Sequence, residues 1–183
     1  MMRDNTKNVV VTDVAANEYS SRLLDRRTKE LRQTAVKSVM RKDISGLKRK
    51  GWLFDWLVPL KAGLEVKQLT FKDDDTIQGL IAFEEVAANQ AFFVNLVESA
   101  PHNRGMDRQY EEVGSHLFAY VAKRAADKGY NIIYFDTKTL LVSHYSKKLG
   151  AKQIGHSRRM YIVGDAFVEL IEKFYKGDNY EKP

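Results

Sequence analysis

The spacing of apolar positions changes several times along the chain, and each change marks a new element. Tyr19, Leu23, Leu31, Val36, Val39 and Met40 fit one apolar stripe of a helix running from about Asn17, a plausible cap, to Met40. Arg22, Arg26, Arg27, Lys29 and Arg32 populate its other faces. Ahead of it, Val9 to Thr12 is a β-branched run suited to an edge strand or an ordered arm. After a break at Asp43-Ile-Ser-Gly46, Trp52, Phe54 and Trp56 alternate, which marks core or the wall of a groove. Leu64 to Phe71, Ile77 to Val86 and Ala91 to Ala100 then read as three strands, the first two joined as a hairpin through Lys72-Asp73-Asp74-Asp75.

A polar loop, Pro101 to Arg108, leads into a second regime. Val113, Leu117, Val121 and Ala125 share one helical face, and Gly129 stands where a helix end favours positive φ. Tyr130 to Phe135 (YNIIYF) suits a buried central strand, so the order strand–helix–strand predicts local parallel pairing. Thr139 to Leu149 is a further helix ended by Gly150, and Lys152 to Ile154 with Arg159 to Val163 are two closing strands around Gly155. Asp165 caps a last helix that runs to about Tyr175, and the tail from Lys176 to Pro183 is expected to be loose.

Composition narrows the possibilities. With 183 residues, 44% of them hydrophobic, the chain suffices for one sizeable core and is short for two, so residues 1–183 are expected to form one domain. No apolar run reaches the ~20 residues that span a bilayer, and the amino terminus lacks the apolar core of a signal peptide, so the expected location is the cytoplasm. Cysteine is absent, which excludes disulfides and a cysteine nucleophile, and His102, His116, His144 and His156 show no paired metal spacing. No metal site is expected.

The formal charge of +6 is unevenly placed: residues 22–50 hold eleven Lys/Arg against three carboxylates, a local +8, which leaves −2 for the rest. That segment is either a solvated helix face or a surface for an acidic partner such as nucleic acid.

The spacing Gln109-x-x-Glu112-x-Gly114 resembles the pyrophosphate-loop signature Q/R-x-x-G-x-G/A of the GNAT N-acetyltransferase superfamily, with Glu112 where a glycine is expected. His144-Tyr-Ser-Lys-Lys-Leu-Gly-Ala151 resembles the motif Y-x-K-x-G-F of the same family, with its tyrosine one residue early and Ser146 at the commoner position. The resemblance spans Trp52 to Val163, and the order of elements agrees with it. It implies an α+β fold, an α/β/α sandwich whose mixed, mostly antiparallel sheet contains a central parallel strand–helix–strand unit. Residues 1–50 would form a basic helical part, 52–163 the family core and 165–176 a carboxy-terminal helix.

What the resemblance implies for function is acetyl transfer from acetyl-CoA to a primary amine by direct attack. The acceptor, whether small molecule, protein or RNA-attached amine, is open, and a homodimer is plausible. Gln109, Tyr110, Glu111, Glu112, Val113, Gly114 and Ser115 would cradle the cofactor phosphates, since free N–H groups and the dipole converge at a helix start. Gly114 is alternatively a glycine packed against the sheet. Glu112 either turns its side chain to solvent and leaves the backbone to bind, or weakens the cofactor's hold.

Leu96, Val97 and Ser99 would hold the pantetheine arm along a splayed strand. Glu98, late on that strand beside the expected thioester, would take the acceptor's proton, directly or through water, its alternative being an exposed strand-end carboxylate; Asn95, where relatives that acetylate histones tend to carry a glutamate, cannot take it, which weighs against direct acetylation of a protein lysine. Tyr145 would return a proton to the leaving thiolate, or is core packing, and Lys148 can reach a phosphate. A competing expectation is a binding module of the same fold with little catalysis, using the basic segment to bind nucleic acid.

Overall fold

The structure, a computed structural model, describes residues 21–175. The expected strand at Val9 to Thr12, the cap at Asn17 and the tail after Tyr175 lie outside the described residues. Eight strands, β1 (Arg22–Leu24), β2 (Leu31–Ser38), β3 (Glu65–Phe71), β4 (Gly79–Val86), β5 (Ala91–Ser99), β6 (Ile132–Asp136), β7 (Lys152–Gln153) and β8 (Arg159–Val163), form one sheet in the order β1-β2-β3-β4-β5-β6-β8-β7. All pairings are antiparallel except β5 with β6, which is the expected parallel pair.

Period-two alternation divides the apolar residues between two cores. Leu69, Phe71, Ile81, Phe83, Phe92 and Ile133 face one side, where α3 (Val113–Asp127), α4 (Val142–Leu149) and α5 (Asp165–Tyr175) pack. Val66, Leu80 and Ala82 face the other, covered by α1 (Arg41–Ile44), α2 (Leu57–Lys61) and the two tryptophans, Trp52 and Trp56. The result is an α/β/α sandwich. Helix α3 is the central helix of the larger core: Leu117, Phe118, Val121 and Ala125 are all buried, and burying a leucine or phenylalanine contributes about 1.5–3 kcal/mol each.

The basic helix expected over Asn17 to Met40 is corrected: its described part is the β1–β2 hairpin. Asp25 accepts hydrogen bonds from the amides of Arg27 (2.8 Å) and Thr28 (3.0 Å), and Lys29 takes φ 63°, so the chain reverses where a helix would have continued. Along β2 the inward residues are Thr34 and Val36, two apart, while Leu31 (58% exposed) and Met40 (56%) lie outside the core. The helical stripe was a coincidence of spacing; pairing with β3 decided the conformation.

Candidate active site

Two local features open a cleft in the sheet. The β4–β5 register shifts between Ala82 and Phe83, so Leu96 faces Ala82 and Val94 faces Phe83, leaving Asn95 as a bulge. A bulge bends and twists its strand. Pairing of β5 with β6 stops at the same point: Phe92, Phe93 and Val94 face Ile133, Tyr134 and Phe135, and among the described residues no strand pairs with that edge of β5 beyond Val94. A cleft of about 990 Å³ lies between residues 95–99 and the end of β6 with α4.

At the base of this cleft stands the start of α3. Gly79 on β4 seats it: a Cβ there would lie 2.7 Å from Val113 Cγ1 and 2.9 Å from Leu117 Cδ1. Glu112, the residue before the helix, takes φ 60° and gives no side-chain cap. The first helical bond runs from His116 N–H to the Glu112 carbonyl (3.0 Å), so the amides of Val113, Gly114 and Ser115 have no partner among the described residues. A Cβ on Gly114 would meet nothing within 4 Å, and its φ is not positive. Neither packing nor backbone strain requires glycine there, so the reading of Gly114 as a packing glycine falls. The open, donor-lined space is what a phosphate group fits.

The loop before the helix is fastened from several directions. Asn103, fully inside, accepts from Tyr110 N–H (3.1 Å) and donates to the Gln78 carbonyl (3.1 Å). The turn of the β1–β2 hairpin grips the loop's outer side: Arg26 N–H donates to the Gln109 carbonyl (2.9 Å) and Glu111 N–H to the Leu24 carbonyl (3.1 Å). Arg26 Nε also meets the Glu111 carboxylate at 2.8 Å, and Arg108 meets it at 2.9 Å. The Arg108 hydrogen bond, helped by Arg26 and Lys148, holds the Glu111 carboxyl below the ordinary range.

No protein-family profile and no curated protein sequence matches this chain. Solved structures do match. A spermidine N-acetyltransferase chimera of SpeG from Vibrio cholerae and hSSAT superposes with TM-score 0.54 at 13% identity, covering 74% of this chain and 98% of that one. The ribosomal-protein-S18-alanine N-acetyltransferase from Escherichia coli gives TM-score 0.50 at 11% identity, covering 70% and 89%. An acetyltransferase of the GNAT family from Staphylococcus aureus gives 0.49 at 13%, covering 70% and 97%.

This chain has the GNAT fold.

Within that fold the expected site residues separate into groups. Leu96, Val97, Ser99, Glu111, Glu112, Val113, Gly114, Ser115, Tyr145 and Lys148 line the one cleft. Gln109 does not: it is exposed, and its side-chain amide donates to the Tyr110 hydroxyl (3.3 Å) on the outer side of the loop. Tyr110 touches the cleft, but its ring is buried against Phe71 (4.7 Å between centroids), its hydroxyl accepts from Arg32 (2.9 Å) and its amide is committed to Asn103. Both residues therefore support the loop ahead of α3 from behind.

Glu112 carries its carboxylate away to an ion pair with Lys173 on α5, so only its backbone is left to the cradle. Glu98 is not an exposed strand-end carboxylate. It is buried and accepts from Leu53 N–H (2.6 Å), Trp56 Nε1 (2.9 Å) and, at longer range, Phe54 N–H (3.4 Å) and Arg104 (3.4 Å). A carboxylate so engaged is an anchor for the Gly51–Trp56 loop, its oxygens taken up by donors rather than turned to an acceptor, which removes the reason for naming it the base. Tyr145 lies edge-on to Phe135 (5.0 Å) and Phe118 (5.7 Å), and burial raises its phenol above the usual value, so it stays protonated at neutral pH. No described residue hydrogen-bonds its hydroxyl. Ser146 is exposed and lies off the cleft, so the one-residue offset does not misplace the tyrosine; the helix closes on it, with Gly150 N–H donating to the Tyr145 carbonyl.

Sequence reading missed Gly79, Asn103 and Arg26. Gly79 was visible as a glycine inside a strand, a sign of close approach; the other two act on residues far along the chain and left no local signal.

Proposed function

We propose that the protein is an acetyl-CoA-dependent N-acetyltransferase acting on a primary amine by direct attack. The observation that carries this is the uncapped start of α3, with an open Gly114, in the same cleft as the unpaired β5 edge and the Tyr145 phenol. Val113, Gly114 and Ser115 would hold the phosphates by backbone donors, Lys148 would add charge, and residues 96–99 would hold the pantetheine arm. Acetyl-CoA would supply the activated acyl carbon, whose C–S bond is exchanged for a C–N bond to give an amide and a free thiol. Tyr145 donates the thiol's proton.

An ammonium acceptor must first lose a proton, and every carboxylate lining the cleft is engaged in an ion pair. His144 lines the cleft beside Tyr145, its ring 5.3 Å from the phenol ring, with no hydrogen bond among the described residues. A neutral imidazole nitrogen can accept that proton, and we assign His144 the base role in place of Glu98. We prefer this to the nucleic-acid reading because the acid–base groups gather in the cleft; of the basic segment's eleven cations, Arg26, Arg32 and Lys37 are engaged in ion pairs.

Calorimetric titration with CoA and acetyl-CoA tests the reading: saturable binding is expected, and neither heat nor a thermal shift at millimolar ligand would sink it. With an acceptor in hand, Tyr145→Phe and His144→Gln should each lower kcat by about 10²-fold, within the range for lost acid–base catalysis.

A further inference from the structure

Four carboxylates line the cleft, and none is left with an unmatched charge. Glu98 pairs with Arg104, Glu111 with Arg26 and Arg108, Glu112 with Lys173, and Asp136 with both Nε (2.9 Å) and Nη2 (3.0 Å) of Arg159. Three lining cations, Lys138, Lys148 and Arg158, have no ion pair among the described residues. Lys148 acts on Glu111 and so belongs to the phosphate end. Lys138 and Arg158 are elsewhere: both are exposed, and they come from adjacent segments past the end of β6, where Thr137 N–H donates to the Arg158 carbonyl (2.9 Å) and Arg158 adds its charge to that of Arg159 near Asp136, leaving a surplus of positive charge. The same lining also offers Leu53 (64% exposed) and Phe54 (39%), whose backbone amides are held by Glu98.

Such a mouth repels a polyamine. A like charge brought close to these cations is repelled, the more so in a drier cleft, and no free carboxylate offsets it. An anion is attracted by the same charges, and an apolar group can lie on Leu53 and Phe54. Resting on the acetyl-transfer reading, we propose that the acceptor is an amine that itself bears an anionic group, a carboxylate or a phosphate, recognised by Lys138 and Arg158.

The test is calorimetric and needs no turnover. Protein saturated with CoA is titrated with phenylalanine, phenylalaninamide, phosphoethanolamine and spermidine. Phenylalanine or phosphoethanolamine is expected to bind at least tenfold more tightly than phenylalaninamide and spermidine, and which of the two binds better separates carboxylate from phosphate. K138Q combined with R158Q should abolish that preference while CoA affinity stays within about twofold. CoA binding accompanied by equal or tighter binding of spermidine, by no binding of either anionic amine, or by an unchanged preference in the double variant overturns this inference alone. Failure of CoA itself to bind overturns the acetyl-transfer reading and this inference with it.

Discussion

On the cradle side of the cleft, the loop from Asn103 to Glu112 is fastened at many points: the Asn103 amide, two backbone bonds to the β1–β2 hairpin, and Arg26 and Arg108 on Glu111. The neighbouring Gly51–Trp56 loop, touched by Arg104 at the Gly51 carbonyl, depends heavily on one buried carboxylate, Glu98, for two short and one long hydrogen bond. The first arrangement spreads the load over bonds that act largely independently, so losing one leaves the rest. The second concentrates it, because removing the acceptor strands several buried donors at once. Arg104 of the first loop joins the two, donating to Glu98 and to the Gly51 carbonyl; on the proposed reading cofactor binding falls mainly to the first wall and acceptor choice to the second.

The strongest way to break that comparison is Glu98→Ala. Leaving Arg104 and the buried donors unmatched should lower unfolding free energy in urea by about 3–5 kcal/mol, while CoA affinity of the folded fraction changes less than threefold. If CoA affinity fell as steeply as stability, cofactor binding would depend on both walls alike. On the cradle side, Gly114→Val should do the reverse. Its side chain meets open space, so the melting temperature should hold, while filling the cradle should weaken CoA binding by about a hundredfold, ~2.7 kcal/mol. Unchanged affinity would place the phosphates elsewhere.

Acid should loosen the cradle wall from behind. His116 on α3 is completely buried, stacked on Phe174 of α5 at 4.8 Å, with neither ring nitrogen hydrogen-bonded among the described residues, and burial lowers its pKa to about 3. The folded state keeps the ring neutral while the unfolded chain takes up a proton below about 6.5. The contribution is therefore complete above that pH and is lost as pH falls towards 3, amounting to about 2 kcal/mol by pH 5. Urea titrations from pH 7 to 5 should show it, and His116→Leu should flatten the slope. The smallest effect is expected from Glu112→Gly. Relief of the positive φ, worth ~1 kcal/mol, offsets loss of the exposed Lys173 pair, so stability should move by less than about 1 kcal/mol. CoA affinity should hold or rise, and a sharp loss would give the Glu112 side chain a role in binding.

Much of this architecture was legible in the residues. The strands from Leu64 to Ala100, the helix from Val113 and the parallel strand after Gly129 all carry their own periodicity and stop signals, and they stand where expected. The basic segment was not legible. Its apolar residues fit a helical stripe as well as they fit alternation, and the partner that chose between them, β3, lies more than thirty residues downstream. Glu98 misled for a related reason: most glutamates are exposed, and the donors that bury this one come from residues 53–56, over forty positions upstream.

By itself, then, the sequence determined which short-range conformations were favoured and that a glycine-bearing turn would open a helix after an apolar strand, because period, caps and turns act within a few residues. Only the tertiary structure decided that Asn95 would bulge and part β5 from β6, that Glu112 would swing to Lys173, and that Glu98 would be consumed as an anchor. Those outcomes depend on which distant groups arrive beside each residue, and burial and pairing energies of several kcal/mol then override local preference.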